Sequence, residues 1–313
     1  MTSAASSGPA GPHFEGQVAA YYLLSLLTGS QPRGLSGTTL ERIELQRASE
    51  GYPLDDVIIH AHDAQGAKAV LAIQAKRRIF FVPSDPVFHA VVGKIAETSR
   101  HIDLRNGRYE FAIAIARTSY KIDGAYQNVL ARARGLGSAS DFVERINRTG
   151  SGNDDMRRFV QTFRTHLSDV GVSDDDEAVW RLLRRLQILT FDFTAPGSAS
   201  EELAKERAAG ALHSDETHRG PSLWASLIEL ALRIASDGGD RTHDRLLEDL
   251  GAQSFRLVGM RRFASARAAL SEAAGHALAD INDRVGDAIL TRHKCRTGRL
   301  ARQTRVSRFS ASI

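Results

Sequence analysis

Apolar and polar positions change rhythm along the chain, and that rhythm divides it into elements. Phe14, Val18, Tyr21, Tyr22 and Ser25 recur at helical spacing and Gly29 supplies a stop, so His13 to Thr28 reads as a helix. A Gly/Pro loop from Gln31 to Thr38 follows. Leu40 to Arg47 then alternates Leu, Ile and Leu against Glu, Arg, Glu and Gln, the signature of a half-buried strand. Two apolar, β-prone runs come next, Asp55 to His60 and Lys68 to Ile79. The polar turn between them holds Asp63, Gln65 and Gly66, which predicts a hairpin. Pro83-Ser84-Asp85-Pro86 turns into a helix from Asp85 to Asp103, with Ser84 or Asp85 as cap and Val87, Phe88, Val91, Val92 and Ile95 as its buried face. Tyr109 to Arg117 is almost continuously apolar, as a strand covered on both faces should be, and Asp123 to Arg134 is again helical.

From Ser138 the character changes. Phe142 to Ile146, Met156 to Leu167 and Glu177 to Leu186 carry helical patterns, and Leu186 to Phe193 reads as one more short strand. Asp174-Asp175-Asp176 opens the third of these helices, where acids favour the helix dipole, so the run is expected to cap rather than bind metal. After Pro196-Gly197-Ser198 come helical patterns over Glu201–Leu212, Pro221–Ser236, His243–Leu250 and Arg262–Ile289. The order of elements predicts an α/β fold, a mixed sheet flanked by helices and followed by a mainly α-helical module. It does not fit a doubly wound nucleotide-binding fold. No repeat period and no glycine-rich loop ending in Gly-Lys-Ser/Thr is present. The expected organisation is a disordered tail over 1–12, an α/β domain over 13–137, a helical module over 138–291 that regulates or oligomerises, and a basic tail over 292–313.

Composition alters this picture in two places. The single cysteine, Cys295, excludes an intramolecular disulfide framework and suits a reducing compartment. Met1–Pro12 has neither the basic start nor the apolar core of a secretory signal, and Val18–Leu27 is too short to span a bilayer. A cytoplasmic chain without membrane contact is expected. The net charge of +4 is an uneven average: Arg292, Lys294, Arg296, Arg299, Arg302, Arg305 and Arg308 sit in an acid-free tail. Without those seven, 34 basic residues face 37 acidic ones. The tail could hold nucleic acid without sequence preference, but a solvated end is the plainer reading.

Candidate chemistry gathers on the hairpin. Asp55 and Asp56 open its first strand, and Gln74 and Lys76 share one face of the second because side chains alternate along a strand. A carboxylate and an amide oxygen suit Mg²⁺, with Mn²⁺ as a substitute, and a nearby ammonium can meet a phosphate or orient water. Glu15, from the first helix, would complete a metal-dependent phosphodiesterase site. Taken singly, Asp-Asp at a strand start is most often turn chemistry, and Gln-x-Lys a solvent-facing pair. What favours a site is the apolar run on each side, since polar residues on a buried face need a reason.

Asp55-Asp56-Val-Ile-Ile followed by Ile-Gln74-Ala-Lys76-Arg resembles the PD-(D/E)xK nuclease superfamily in its Gln-x-Lys variant, as in Mrr-type restriction enzymes. Gly11-Pro-His-Phe14-Glu15-Gly-Gln17-Val-Ala-Ala-Tyr-Tyr, with Lys76-Arg-Arg-Ile-Phe-Phe-Val-Pro-Ser-Asp85-Pro-Val-Phe, is similar to the N-terminal nuclease effector domain of bacterial antiphage systems of the CBASS-associated and NTPase-fused kinds. The resemblance spans residues 11 to 135. It implies a restriction-endonuclease-like core of helix, three strands, helix and strand, and Mg²⁺-dependent cleavage of double-stranded DNA. Glu15, Asp56, Gln74 and Lys76 carry over as the site, with Glu15, Asp56 and Gln74 toward the metal and Gln17 in support. Asp55 stands as the alternative ligand, because strand alternation alone does not fix the register. NTPase-fused relatives continue into a phosphate-binding loop, whereas this sequence runs into the arginine-rich tail.

Other chemistry is less well supported. Eleven histidines invite a search for zinc, yet His60 and His62, His213 and His218, and Cys295 offer no ligand spacing. No Gly-x-Ser-x-Gly elbow is present. Arg181, Arg184 and Arg185 beside Trp180 form a basic face that reads as solvated. The expected partners are double-stranded DNA, an activating ligand or sensor protein, and further copies of the chain. The absence of a base-reading motif makes nonspecific cutting the expectation.

Overall fold

In the computed structural model, residues 10–48, 51–100, 107–193, 195 and 197–258 are described. Of the tail expected to be disordered over 1–12, residues 1–9 lie outside them, as do the helix expected over Arg262–Ile289 and the basic tail, whereas residues 10–12 are helical and open the first helix. The elements run α1 (Ala10–Thr28), β1 (Thr38–Glu44), β2 (Val57–Asp63), β3 (Lys68–Lys76), α2 (Pro86–Thr98), β4 (Arg108–Ile115), then a π-helical turn (Ile122–Tyr126) leading into α3 (Gln127–Gly135). After these come α4 (Ala139–Asn147), α5 (Asp154–Asp169), α6 (Asp176–Leu183), β5 (Leu186–Thr190), α7 (Ala199–Ala211), α8 (Gly220–Asp237), β6 (Asp240–Thr242) and α9 (His243–Gly251).

The strands form one six-stranded mixed sheet in the order β5-β4-β3-β2-β1-β6. β3 is the junction: it pairs antiparallel with β2 and parallel with β4, which in turn pairs parallel with β5. The expected hairpin is present, with Val57 opposite Ile73 and His62 opposite Lys68. Its turn is held by Asp63, whose Oδ1 accepts from the backbone N–H groups of Gln65 at 2.9 Å and Ala67 at 2.8 Å. Gly66 takes the positive φ of 82° that such a tight connection requires.

Alternation sorts the strand residues between two cores. Val57, Ile59, Leu71, Ile73, Ala75, Ala112 and Ala114 face α1 and the helices behind it, α7, α8 and α9. Ala72, Phe111, Ile113 and Ile115 face α2 to α6. Helix α1 is buried nearly all round, because the sheet lies on one side and α7 and α8 on the other. The approach of α8 is close at Gly16, where a Cβ would stand 2.9 Å from Leu232 Cδ2. Asp85 caps α2 through Val87 N at 2.8 Å, and Asp175 caps α6 through Ala178 N at 2.7 Å, the role expected for that acidic run.

The second half differs from a free-standing helical module. β5 and β6 are strands of the same sheet, and α7 and α8 pack against α1, so residues up to Val258 form one compact unit and no boundary falls at 137/138. The physical reason is the apolar surface of α1 and of the two outer strands, which the first 137 residues cannot cover alone. β6 is only three residues long and escaped the pattern reading for that reason. No helix among the described residues is long and apolar enough to cross a membrane.

Cooperativity across that boundary is testable. Leu227 on α8 is fully buried in the α1 core. Leu227→Ala should cost about 2–5 kcal/mol and raise hydrogen exchange in the β2–β3 hairpin by the same free energy in native-state measurements. Unchanged exchange in that hairpin would show the two halves to be energetically separate.

Candidate functional site

The sheet topology brings the predicted residues to one edge. β2 runs antiparallel to β3, so the residue preceding β2, Asp56, lies beside the carboxyl end of β3, where Gln74 and Lys76 stand. β4 ends at the same edge because it is parallel to β3. Ligand sites in open α/β sheets form outside the carboxyl ends of parallel strands. Glu15 reaches the edge from the second turn of α1.

Asp56 is the centre of the arrangement. It is buried, and its Oδ2 accepts from the Ala75 backbone N–H at 2.8 Å and from the Gln74 amide. Lys76 Nζ stands 3.5 Å from that same oxygen and 3.5 Å from Glu15 Oε1, so the ammonium bridges the two carboxylates. Gln46 Nε2 lies 3.4 Å from Asp56 Oδ1. Gln46 has a left-handed backbone, φ 54°, and its N–H donates to the Asp55 carbonyl at 2.9 Å, which locks the segment ahead of β2.

Asp55 goes elsewhere. Its Oδ1 accepts from Lys94 of α2 at 3.0 Å. Neighbouring residues on an extended backbone point to opposite sides, and here the choice falls on Asp56 as the carboxylate beside Gln74, Lys76 and Glu15. Gln17 is buried on α1 but sits about 200° round the helix from Glu15, and no described hydrogen bond joins it to the cluster. Gln46 and Lys94 are the members that the sequence reading missed. Neither carries a motif: one is a polar residue after a strand, the other a lysine beside a buried helical stripe.

The donor set is one of oxygens, as a hard divalent cation requires. With its amide nitrogen committed to Asp56, Gln74 is left with a buried Oε1 that has no hydrogen-bond partner. A buried, unsatisfied carbonyl costs about 1–3 kcal/mol, so it calls for a ligand at that point. Glu15 and Asp56 add carboxylate oxygens, and oxygen donors of this kind suit Mg²⁺. The residues fit the group.

Charge is balanced unevenly. Burial raises the Glu15 pKa from 4.5 to about 7; the Asp56 carboxylate pushes it further the same way, and Lys76 opposes both. Glu15 therefore binds its proton more tightly folded than unfolded. Between pH 4.5 and about 7 the folded chain keeps a proton the unfolded chain has lost. The resulting stability is fully present at the acid end and disappears as pH rises through the upper value.

Glu15→Gln removes that dependence. In EDTA, urea denaturation should show the variant gaining on wild type as pH rises from 4.5 to 7, with no further change above. The gain should be on the order of 1 kcal/mol, well below the full shift because the Glu15 side chain is 32% exposed. A difference that stays constant with pH would identify Glu15 as an ordinary surface carboxylate.

No family model and no curated protein matches the chain. Solved structures do. It is similar to a Cap4 SAVED/CARF-domain containing receptor of Acinetobacter baumannii, solved with the cyclic trinucleotide 3'3'3'-cAAA, at 9% identity and a TM-score of 0.44, over 78% of this chain and 48% of that one. A second structure of the Acinetobacter baumannii receptor aligns at 10% identity and a TM-score of 0.44, over 78% of this chain and 47% of that one. The Moraxella osloensis Cap4 receptor aligns at 13% identity and a TM-score of 0.38, over 76% and 46%. The chain spans about half the length of each of them.

Proposed function

We propose that the chain is a metal-dependent nuclease that hydrolyses phosphodiester bonds of double-stranded DNA with little sequence specificity, as an effector of bacterial antiphage defence. The observation that carries the reading is the convergence of Glu15, Asp56, Gln74 and Lys76 at the carboxyl end of β3, with Gln74 Oε1 buried and unpartnered. Their agreement with the Gln-x-Lys nuclease pattern supports it.

Mg²⁺ would be held by Asp56, Gln74 and Glu15, and when bound it supplies water activation and charge neutralisation. The remaining work belongs to side chains. Hydrolysis forms a bond from water oxygen to phosphorus and breaks the bond from phosphorus to one ester oxygen. Negative charge grows on the phosphate oxygens and the leaving oxygen. Lys76 Nζ, already poised between two carboxylates, can turn a proton toward a phosphate oxygen and stabilise that charge. Glu15 Oε1, lying 3.5 Å from that ammonium, stands where its carboxylate can orient the attacking water beside the point where Mg²⁺ would be held. The Ala75 N–H fixes the Asp56 carboxylate so that it does not swing with substrate. Regulation by a ligand or sensor protein, and assembly with further copies, belong to the same proposal, because an unrestrained nuclease would damage its host.

A second reading is a noncatalytic nucleic-acid or partner-binding module on the same fold. One observation favours it: the Asp56 carboxylate already accepts from Gln74 and Ala75 and lies near Gln46 and Lys76, so its own charge is met without a ligand.

Purified chain on supercoiled plasmid separates the two. The nuclease reading expects nicking and linearisation in Mg²⁺, none in EDTA, and a loss of at least about 100-fold in Lys76→Ala, the scale of a removed charge-stabilising donor. Asp55→Asn should retain cutting within about tenfold. Retardation of DNA in a gel without cleavage in Mg²⁺ or Mn²⁺, and equally from wild type and Lys76→Ala, is the result of a binding module.

A further inference from the structure

A second cluster lies between α2 and α5, and nothing in the proposed reaction uses it. We propose that His89, His166 and Asp169 form a site for a borderline transition-metal ion of the Zn²⁺ class, which ties α2 to α5. One ligand atom from each of the three lies within 4.8 Å of the others. His89 comes from the first turn of α2, whereas His166 and Asp169 are three apart on α5 and so share a face.

The independent observation is the state of His166. The residue is 1% exposed, and its Nδ1 is buried without a hydrogen-bond partner. Its Nε2 lies 3.3 Å from the Val82 carbonyl. A proton on Nε2 donated to that carbonyl leaves the lone pair on Nδ1. This is the outer-shell arrangement that orients a metal-binding imidazole: one ring nitrogen on a backbone carbonyl, the other open. The ring packs edge-on against Phe88 at 5.2 Å and against His89 at 5.4 Å. Ring packing explains the burial of His166 but leaves Nδ1 unsatisfied, and an unmet buried polar atom is costly.

Donor chemistry sets the class of ion. Two imidazoles and one carboxylate suit Zn²⁺ and its neighbours rather than Mg²⁺ or Ca²⁺. Three protein ligands leave a fourth tetrahedral position for water. Bonds of about 2.0–2.1 Å place tetrahedral ligands roughly 3.4 Å apart, so the cluster must close by up to about 1.4 Å. Asp169 is exposed and His89 half-buried, and rotation of these two side chains can supply that movement around a fixed His166. The Val82 carbonyl also accepts from Asp85 N at 3.1 Å, so the site would brace the turn between β3 and α2 as well as the two helices.

The test uses the full, untagged chain, stripped of metal by a chelator and titrated with Zn²⁺ against a chromophoric competitor in excess Mg²⁺. The expected result is one tight equivalent and a rise in Tm on saturation. His89→Ala should weaken that equivalent at least tenfold and abolish the rise in Tm. Asp56→Asn should keep both, because the nuclease cluster is separate. No tight equivalent in wild type, or an equivalent that persists in both His89→Ala and Asp169→Asn, overturns the proposal. His89→Ala leaves the buried His166 in place, and circular dichroism of the metal-free variant checks that it folds.

Discussion

The candidate site depends on one buried carboxylate. Asp56 lies at the end of a strand, out of reach of bulk water, and an ionised group placed there must be met by donors from the protein. The Ala75 N–H, the Gln74 amide and the Lys76 ammonium meet it, and all three come from consecutive residues of β3. The hairpin register that sets Val57 opposite Ile73 is what delivers Asp56 to them. A slip of one residue would turn every hairpin side chain to the opposite face and separate the carboxylate from its donors. The core packing of Val57, Ile59, Leu71 and Ile73 against α1 excludes such a slip, so the apolar alternation that builds the fold also positions the polar site.

Much of this was legible in the chain. The hairpin, α1, α2 and β4 announce themselves through period and turn chemistry, and Asp56, Gln74, Lys76 and Glu15 do meet at one edge. Which of Asp55 and Asp56 lies beside Gln74 and Lys76 was not legible, because the partner of Asp55, Lys94 of α2, approaches only in the folded chain. Nor was the membership of the second half. The segment from Leu186 to Thr190 looks the same whether it extends a sheet or ends a helical module; only the apolar β4 edge waiting for a partner decides it. The histidines show the same limit. His89 and His166 lie on different helices far apart in sequence, so no ligand spacing exists to be read, and α2–α5 packing alone creates the cluster.

The two clusters are joined by the connection from Lys76 to Asp85. At its start Lys76 bridges Glu15 and Asp56; toward its end the Val82 carbonyl receives His166 and Asp85 caps α2. Phe81 is clamped between them, edge-on to Phe88 at 4.9 Å and to Tyr126 at 5.4 Å. Phe80, by contrast, is 59% exposed, next in line after Arg77, Arg78 and Ile79. A segment tied down at Lys76, Phe81 and Asp85 presents two arginines and an aromatic ring to solvent at the carboxyl end of β3. Cations meet phosphates, and an exposed ring offers a face to a base. Under the proposed function, a tethered backbone with exposed cationic and aromatic side chains would let DNA bind without the entropic cost of ordering a loop. The anchoring on the α2–α5 side therefore matters to the edge that carries Lys76, because it is what keeps that surface in place.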